Sequence, residues 1–245
     1  MARRTKEKRR PDAASMTVVE HLSELRNRLL YALVAIAAGS VLCFAFFGPL
    51  LDFMVGPYKD VTGKDLIFTQ PLEAFLTRIK VATYGGFVLA SPVVFWQLWR
   101  FITPGLYPKE KRFAIPFVVA SAVLFMGGAV VAVLTFPKAL TFLLGVGGDS
   151  LEPLLTAGSY LTLVFLMVLA FGVAFEFPIL VVFLLLARVV NTAQLRRWRR
   201  YSFLVIVIFA AVITPSQDPI SLFAMALPMY LLYEGSILVG RLLRR

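Results

Sequence analysis

Apolar residues run along this chain in stretches too long and continuous for the half-buried elements of a globular fold, and short charged segments separate them. The pattern is first amphipathic. Thr17-x-x-Glu20 fits a capping box, and Val18, Leu22, Leu25 and Leu29 recur at helical spacing, so a lead-in helix is expected. Apolar runs follow at about 29–47, 74–101, 113–136, 160–187, 201–213 and 220–239. At 1.5 Å per residue the first spans about 28 Å, enough for a hydrocarbon core. Gly48 and Pro49 are expected to end it, and residues 48–72 read as a longer loop with turn signals at Gly56-Pro57 and Gly63-Lys64. Arg78 and Lys80, early in the second run, are expected to snorkel to one interface, while Trp96, Trp99 and Tyr107 suit the other. A tight turn from Thr103-Pro104-Gly105 to Pro108 leads to the third run, which is read as closing before Pro137.

The fourth run is the most conspicuous, because it is almost wholly apolar yet carries Glu176. A charge at the centre of a membrane helix costs roughly 2.5–3.5 kcal/mol on insertion scales, so the residue needs a partner or a purpose. At about 42 Å the run exceeds the bilayer core, and Pro178 supplies a kink that frees the carbonyl of Ala174. The fifth run is only about 20 Å long, short for a crossing. Charge settles the parity. The basic clusters Arg196–Arg200 and Arg241–Arg245 belong on one side, which requires an even number of crossings between them, and a short fifth with a normal sixth helix fits. Six crossings place 20 of the 25 basic residues on one side, and seven acids (Asp52, Asp60, Asp65, Glu73, Asp149, Glu152 and Asp218) on the other. Both termini are then cytoplasmic, with residues 1–16 a basic arm, 17–240 the membrane domain and 241–245 a basic tail.

Composition agrees: 59% of the 245 residues are hydrophobic and 16% charged, which excludes a soluble globular class. The formal charge of +11 is accounted for by the Lys and Arg of cytoplasmic loops, so no nucleic acid is expected, and the arm lies beside anionic lipid. Cys43 is alone, leaving no intramolecular disulfide or thiolate cluster. The basic stretch 1–11 is not followed by a signal-peptide pattern, and the N-terminus is expected to be retained.

Chemistry is sparse. The only histidine, His21, is too isolated for a triad or ligand set, and there is no His-x-x-x-His and no phosphate-cradling loop, so neither enzyme nor cofactor is expected. Carboxylates remain. Glu24 and Arg28 are i,i+4 neighbours and Glu110 lies between Lys109 and Lys111, so simple charge balance accounts for both as readily as ligand binding does. Glu176 fits a contact with another helix or a neutral residue hydrogen-bonded beside the kink, and it also motivates a rival reading as a secondary transporter. Glu234 either snorkels to headgroups or meets another helix.

The motif His21-Leu22-Ser23-Glu24-Leu25-Arg26-Asn27-Arg28-Leu29 resembles the N-terminal signature of TatC, the multi-spanning subunit of the twin-arginine protein translocase. Residues 97–107, Glu110-Lys111-Arg112, 171–178 around Glu176, and 227–234 match further stretches of that family in order. The resemblance implies an all-α integral membrane protein of six helices in a cupped bundle, the fifth short and the sixth allowed to be, with both termini cytoplasmic. It implies binding of twin-arginine signal peptides through Glu24 and Glu110, with Phe101, Leu22 and Arg26 in the same region. It implies further an intramembrane polar site of Glu176, Ser221 and Asp218, and an outer loop shaped by Pro49 and Pro57. Leu222 stands where many relatives carry Gln, which leaves Ser221 and Asp218 to rebuild that polar site. Single-span TatA-type and TatB-type subunits, other copies of the chain, the bacterial cytoplasmic membrane and a proton-motive force complete what the resemblance implies. A planar guanidinium can fork onto a carboxylate as an ammonium cannot, which gives a physical reason to prefer paired arginines.

Overall fold

The computed structural model describes residues 18–102, 114–148 and 154–242, and these are helical apart from turns and one isolated bridge between Ile67 and Thr156. The lead-in and the first apolar run form one unbroken helix, α1 (Val18–Ala45). No proline interrupts this stretch, so the amphipathic turns continue directly into the apolar ones. The expected capping residue Thr17 lies outside the described residues.

The expected loop 48–72 is largely a helix, α2 (Phe47–Thr62), with Pro49 in its first turn and Pro57 in its interior. Burial overrides the turn signal of Gly56-Pro57. Met54, Val55 and Tyr58 lie on one buried face, Tyr58 meets Tyr160 edge-on at 5.3 Å, and the Tyr160 hydroxyl donates to the Met54 carbonyl at 2.9 Å. The second signal holds: Gly63 caps the helix at φ 64, where a side chain would be strained, and its N–H donates to Lys59 O.

Next come α3 (Pro71–Ile102) and α4 (Ala114–Val146). The α4 helix passes through Pro137, where a break was expected, because Ala139 and Leu140 beyond it are fully buried. The fourth run divides into α5 (Ala157–Ala174) and α6 (Phe177–Leu186), broken at Phe175 and Glu176 just before Pro178, as expected of a proline that cannot donate to the preceding turn. A short α7 (Thr192–Arg197) precedes α8 (Arg199–Ile213), 15 residues or about 22 Å, and α9 (Pro219–Leu242), 24 residues and long enough for a full span.

Among the described residues, five units are long and apolar enough to cross a membrane: α1, α3, α4, the α5–α6 pair and α9. Packing brings their ends together. The rings of His21 and Phe101 stack at 4.4 Å, joining the start of α1 to the end of α3. Trp99 meets Phe183 of α6 at 5.8 Å, and the Tyr233 hydroxyl of α9 donates to the Leu195 carbonyl of α7 at 2.8 Å. One end of the bundle therefore gathers Arg26, Arg28, Arg100 and the Arg196–Arg200 cluster. The other end holds α2 and the starts of α3 and α5, with Asp65 and Glu73. Helix α1 lies chiefly against α3, which it meets backbone to backbone: a Cβ on Gly39 would stand 2.7 Å from the Gly86 carbonyl oxygen.

Candidate functional site

At the basic end, the face of α1 turned to α3 carries His21, Glu24 and Arg28, spaced i, i+3 and i+7. Arg28 Nη2 donates to Glu24 Oε1 at 3.1 Å, and Nη1 makes a long 3.5 Å contact with Gln97 Oε1 on α3. The side chains of this pair are only 20% and 17% exposed. The carboxylate is half used. Glu24 Oε2 and Arg28 Nε are both buried and have no hydrogen-bond partner among the described residues, an arrangement that favours an added donor. Phe101 stands one helical turn beyond Gln97, stacked on His21, while Leu22 is exposed and exposed Arg26 contacts the neighbouring Asn27 side chain at 3.5 Å. Glu110 lies outside the described residues. Sequence reasoning missed Gln97, although its place four residues before Phe101 puts both on one face of α3.

A second polar group sits within the bundle. The Trp99 indole donates to Ser121 Oγ at 3.1 Å, and the Ser121 hydroxyl in turn serves the Glu176 carboxyl. Helices α3 and α4 thus meet the α5–α6 break through side chains, and Glu176 Oε1 is left buried without a partner among the described residues. Ser121 was not singled out in sequence, and Trp99, expected at an interface, is buried in this contact instead, because the contact crosses two helices.

Ser221 and Asp218 do not join Glu176. They form the turn into α9, where Asp218 Oδ1 accepts from the Ser221 amide at 2.8 Å, Oδ2 is bonded to the Ser216 hydroxyl, and Pro219 occupies the first helical position. Burial pushes the Asp218 carboxyl up, but those donors outweigh it and hold it below its usual range. Leu222 packs against the apolar core. Asp218 and the Ser221 amide thus serve the start of α9.

Arg78, expected to snorkel, is held between α3 and its neighbours by two aromatic rings. Its guanidinium lies over the Phe44 and Phe47 rings at 4.4 and 5.0 Å, a cation–π pairing that joins α3 to α1 and α2. Lys80 instead lines a cavity of about 610 Å³ at the acidic end, with Thr69, Glu73, Thr77, Ser159 and Thr162. Glu73 is tied down there by the Thr69 amide and hydroxyl at 2.9 and 3.1 Å and by the Gly158 amide at 3.3 Å. Glu234 meets Arg199 across 2.5 Å, which decides for the helix-contact reading over the headgroup one.

Helices of spanning length, a basic end opposite an acidic one, and the absence of any metal-ligating cluster among the described residues define a multi-pass helical membrane protein. Residues 20–228 match the family described as Sec-independent protein translocase protein (TatC), and the chain belongs to that family. It is similar to the TatC protein of Frankia casuarinae, 44% identical over 238 residues, covering 92% of this chain and 65% of that longer relative. The Magnetococcus marinus protein of the same name is 40% identical over 231 residues, covering 93% and 85%. Among solved structures, a crystal structure described as the twin arginine translocase receptor TatC is 39% identical with a TM-score of 0.74, covering 92% of this chain and all of that one. The family is one of translocase proteins, not of enzymes.

Proposed function

We propose that this chain is the receptor and core subunit of a twin-arginine translocase in a bacterial cytoplasmic membrane. It binds twin-arginine signal peptides at its basic end and works with single-span TatA-type and TatB-type subunits, and with further copies of itself, to pass folded proteins outward on the proton-motive force. The observation that carries this reading is the half-used Glu24 carboxylate, flanked by Phe101 on a surface otherwise rich in arginine. In it, α1, α3, α4, α5–α6, α8 and α9 make six crossings, the short α8 being matched by local bilayer thinning, and the basic end, the 1–16 arm and the 241–245 tail face the cytoplasm. Glu24 and Glu110 each receive one guanidinium of the pair, Leu22 and Phe101 supply apolar contact, and Arg26 borders the site. Glu176 offers its free oxygen to a donor on an inserted peptide or partner helix. Pro49 and Pro57 keep their role in shaping the outer segment, now as parts of α2.

The test is site-specific crosslinking from positions beside Glu24 and Glu110 to signal peptides bearing Arg-Arg or Lys-Lys. Capture of the Arg-Arg peptide, lost with Glu24→Gln or Glu110→Gln in protein that still inserts, is the expected result. Equal capture of both peptides would overturn the reading.

A further inference from the structure

Glu24 meets a guanidinium before any ligand arrives. Arg28, one turn along α1, contacts it through a single nitrogen and a single oxygen, whereas an arginine free to approach from outside can align two N–H groups with both oxygens. The resident pair makes only the one contact, Arg28 Nη2 to Glu24 Oε1 at 3.1 Å. Three polar atoms record the misfit: Glu24 Oε2 and Arg28 Nε have no partner among the described residues, and the Arg28 contact with Gln97 Oε1 is stretched to 3.5 Å. Although the pair is partly exposed, Oε2 itself is buried, so a newcomer reaches it only as neighbouring side chains shift.

We infer that Arg28 is a resident stand-in for the ligand's arginine, holding Glu24 in the empty site and released toward Gln97 when a signal-peptide guanidinium takes the carboxylate. This rests on the proposed role of Glu24 as a peptide-binding residue and adds to it the group that competes for it. The backbone has no need to move. The His21–Phe101 stack and the Gly39–Gly86 contact hold α1 against α3 on either side of the pair, so the exchange is one of side chains. Two consequences follow. The empty receptor carries no unpaired buried carboxylate to capture stray cations, and each bound peptide works against a built-in competitor, which keeps binding reversible for a cargo that must leave.

The experiment is a double-mutant cycle on the full chain in detergent or nanodiscs, reading Kd for an Arg-Arg signal peptide. Arg28→Gln is expected to tighten binding about two- to fivefold, the range set by the loss of a partly exposed ion pair. In a Glu24→Gln background the same substitution is expected to change nothing, because no carboxylate remains to be freed. Tightening of equal size in both backgrounds would mean that removing a positive charge merely eases the approach of a cationic peptide, and it would overturn the inference. So would unchanged or weaker binding in Arg28→Gln, which would make Arg28 a support for Glu24 rather than its competitor. The underlying reading fails separately: it falls if Glu24→Gln alone leaves the Kd of the Arg-Arg peptide unchanged.

Discussion

Two arginine–glutamate pairs lie at the basic end among the described residues, and they are built to different standards. Arg199 and Glu234 come from α8 and α9, 35 residues apart, and both carboxylate oxygens are engaged, Oε2 by Arg199 at 2.5 Å and Oε1 by the Tyr230 hydroxyl at 3.3 Å. Arg28 and Glu24 share one helix, touch through one contact at 3.1 Å, and leave the second carboxylate oxygen with no partner among the described residues. The completed carboxylate clasps two helices. The incomplete one, although less exposed, pairs two residues of one helix and reaches α3 through the long Arg28–Gln97 contact at 3.5 Å. A pair that contributes little to the fold and stays half satisfied retains capacity for something else, and that difference separates the structural acid from the candidate receptor acid.

Exchanging the fates of the two acids should break the comparison if it is wrong. The largest effect is expected for Glu24→Gln, which removes a charge-assisted contact of about 1.5–3 kcal/mol and should weaken Arg-Arg peptide binding roughly 10- to 100-fold by fluorescence titration. Glu234→Gln should leave that affinity alone and instead destabilise the folded protein by about 0.5–1 kcal/mol in thermal unfolding, a modest value because the pair is partly exposed. A large loss of peptide affinity in Glu234→Gln would erase the distinction. Smallest of all, Tyr230→Phe should cost about 0.5 kcal/mol of stability, since it removes one neutral hydroxyl donor from a carboxylate that keeps its arginine. A greater cost than that of Glu234→Gln would make the tyrosine, not the ion pair, the clasp.

Much of this architecture could be read from the chain, for identifiable reasons. Long apolar runs and the sorting of basic residues report directly on the bilayer as solvent, so the spanning segments, the short α8 and the break beside Pro178 were legible. Helix α2 was not, because Gly56-Pro57 is a strong local turn signal and the burial of Met54 and Tyr58 that overrides it depends on residues a hundred positions away. Pro137 misled in the same way, with Leu140 beyond it buried. At the candidate site, the spacing of Glu24 and Arg28 announced their contact, because helical neighbours are a sequence property. The partners of Glu176 and Glu234 were hidden, since Ser121 and Arg199 reach them from other helices. Asp218 and Ser221 were legible as polar residues but not as a helix start, although Asp-Pro followed by an apolar run is the pattern of an N-cap and first turn.

The backbone contact between Gly39 and Gly86 also bears on how the protein is made. Helix α1 packs chiefly on α3, and the glycine that accommodates it lies 47 residues further along the chain. At a synthesis rate of about 5–20 residues per second, roughly 2–9 s separate the emergence of the two glycines from the ribosome. During that interval α1 has only lipid, or a protein of the insertion machinery, to cover the groove that α3 will later fill. For those seconds the first helix depends on what the membrane or the insertion machinery supplies, and α4 waits nearly as long for α5, because Gly128 meets Phe171 43 residues on.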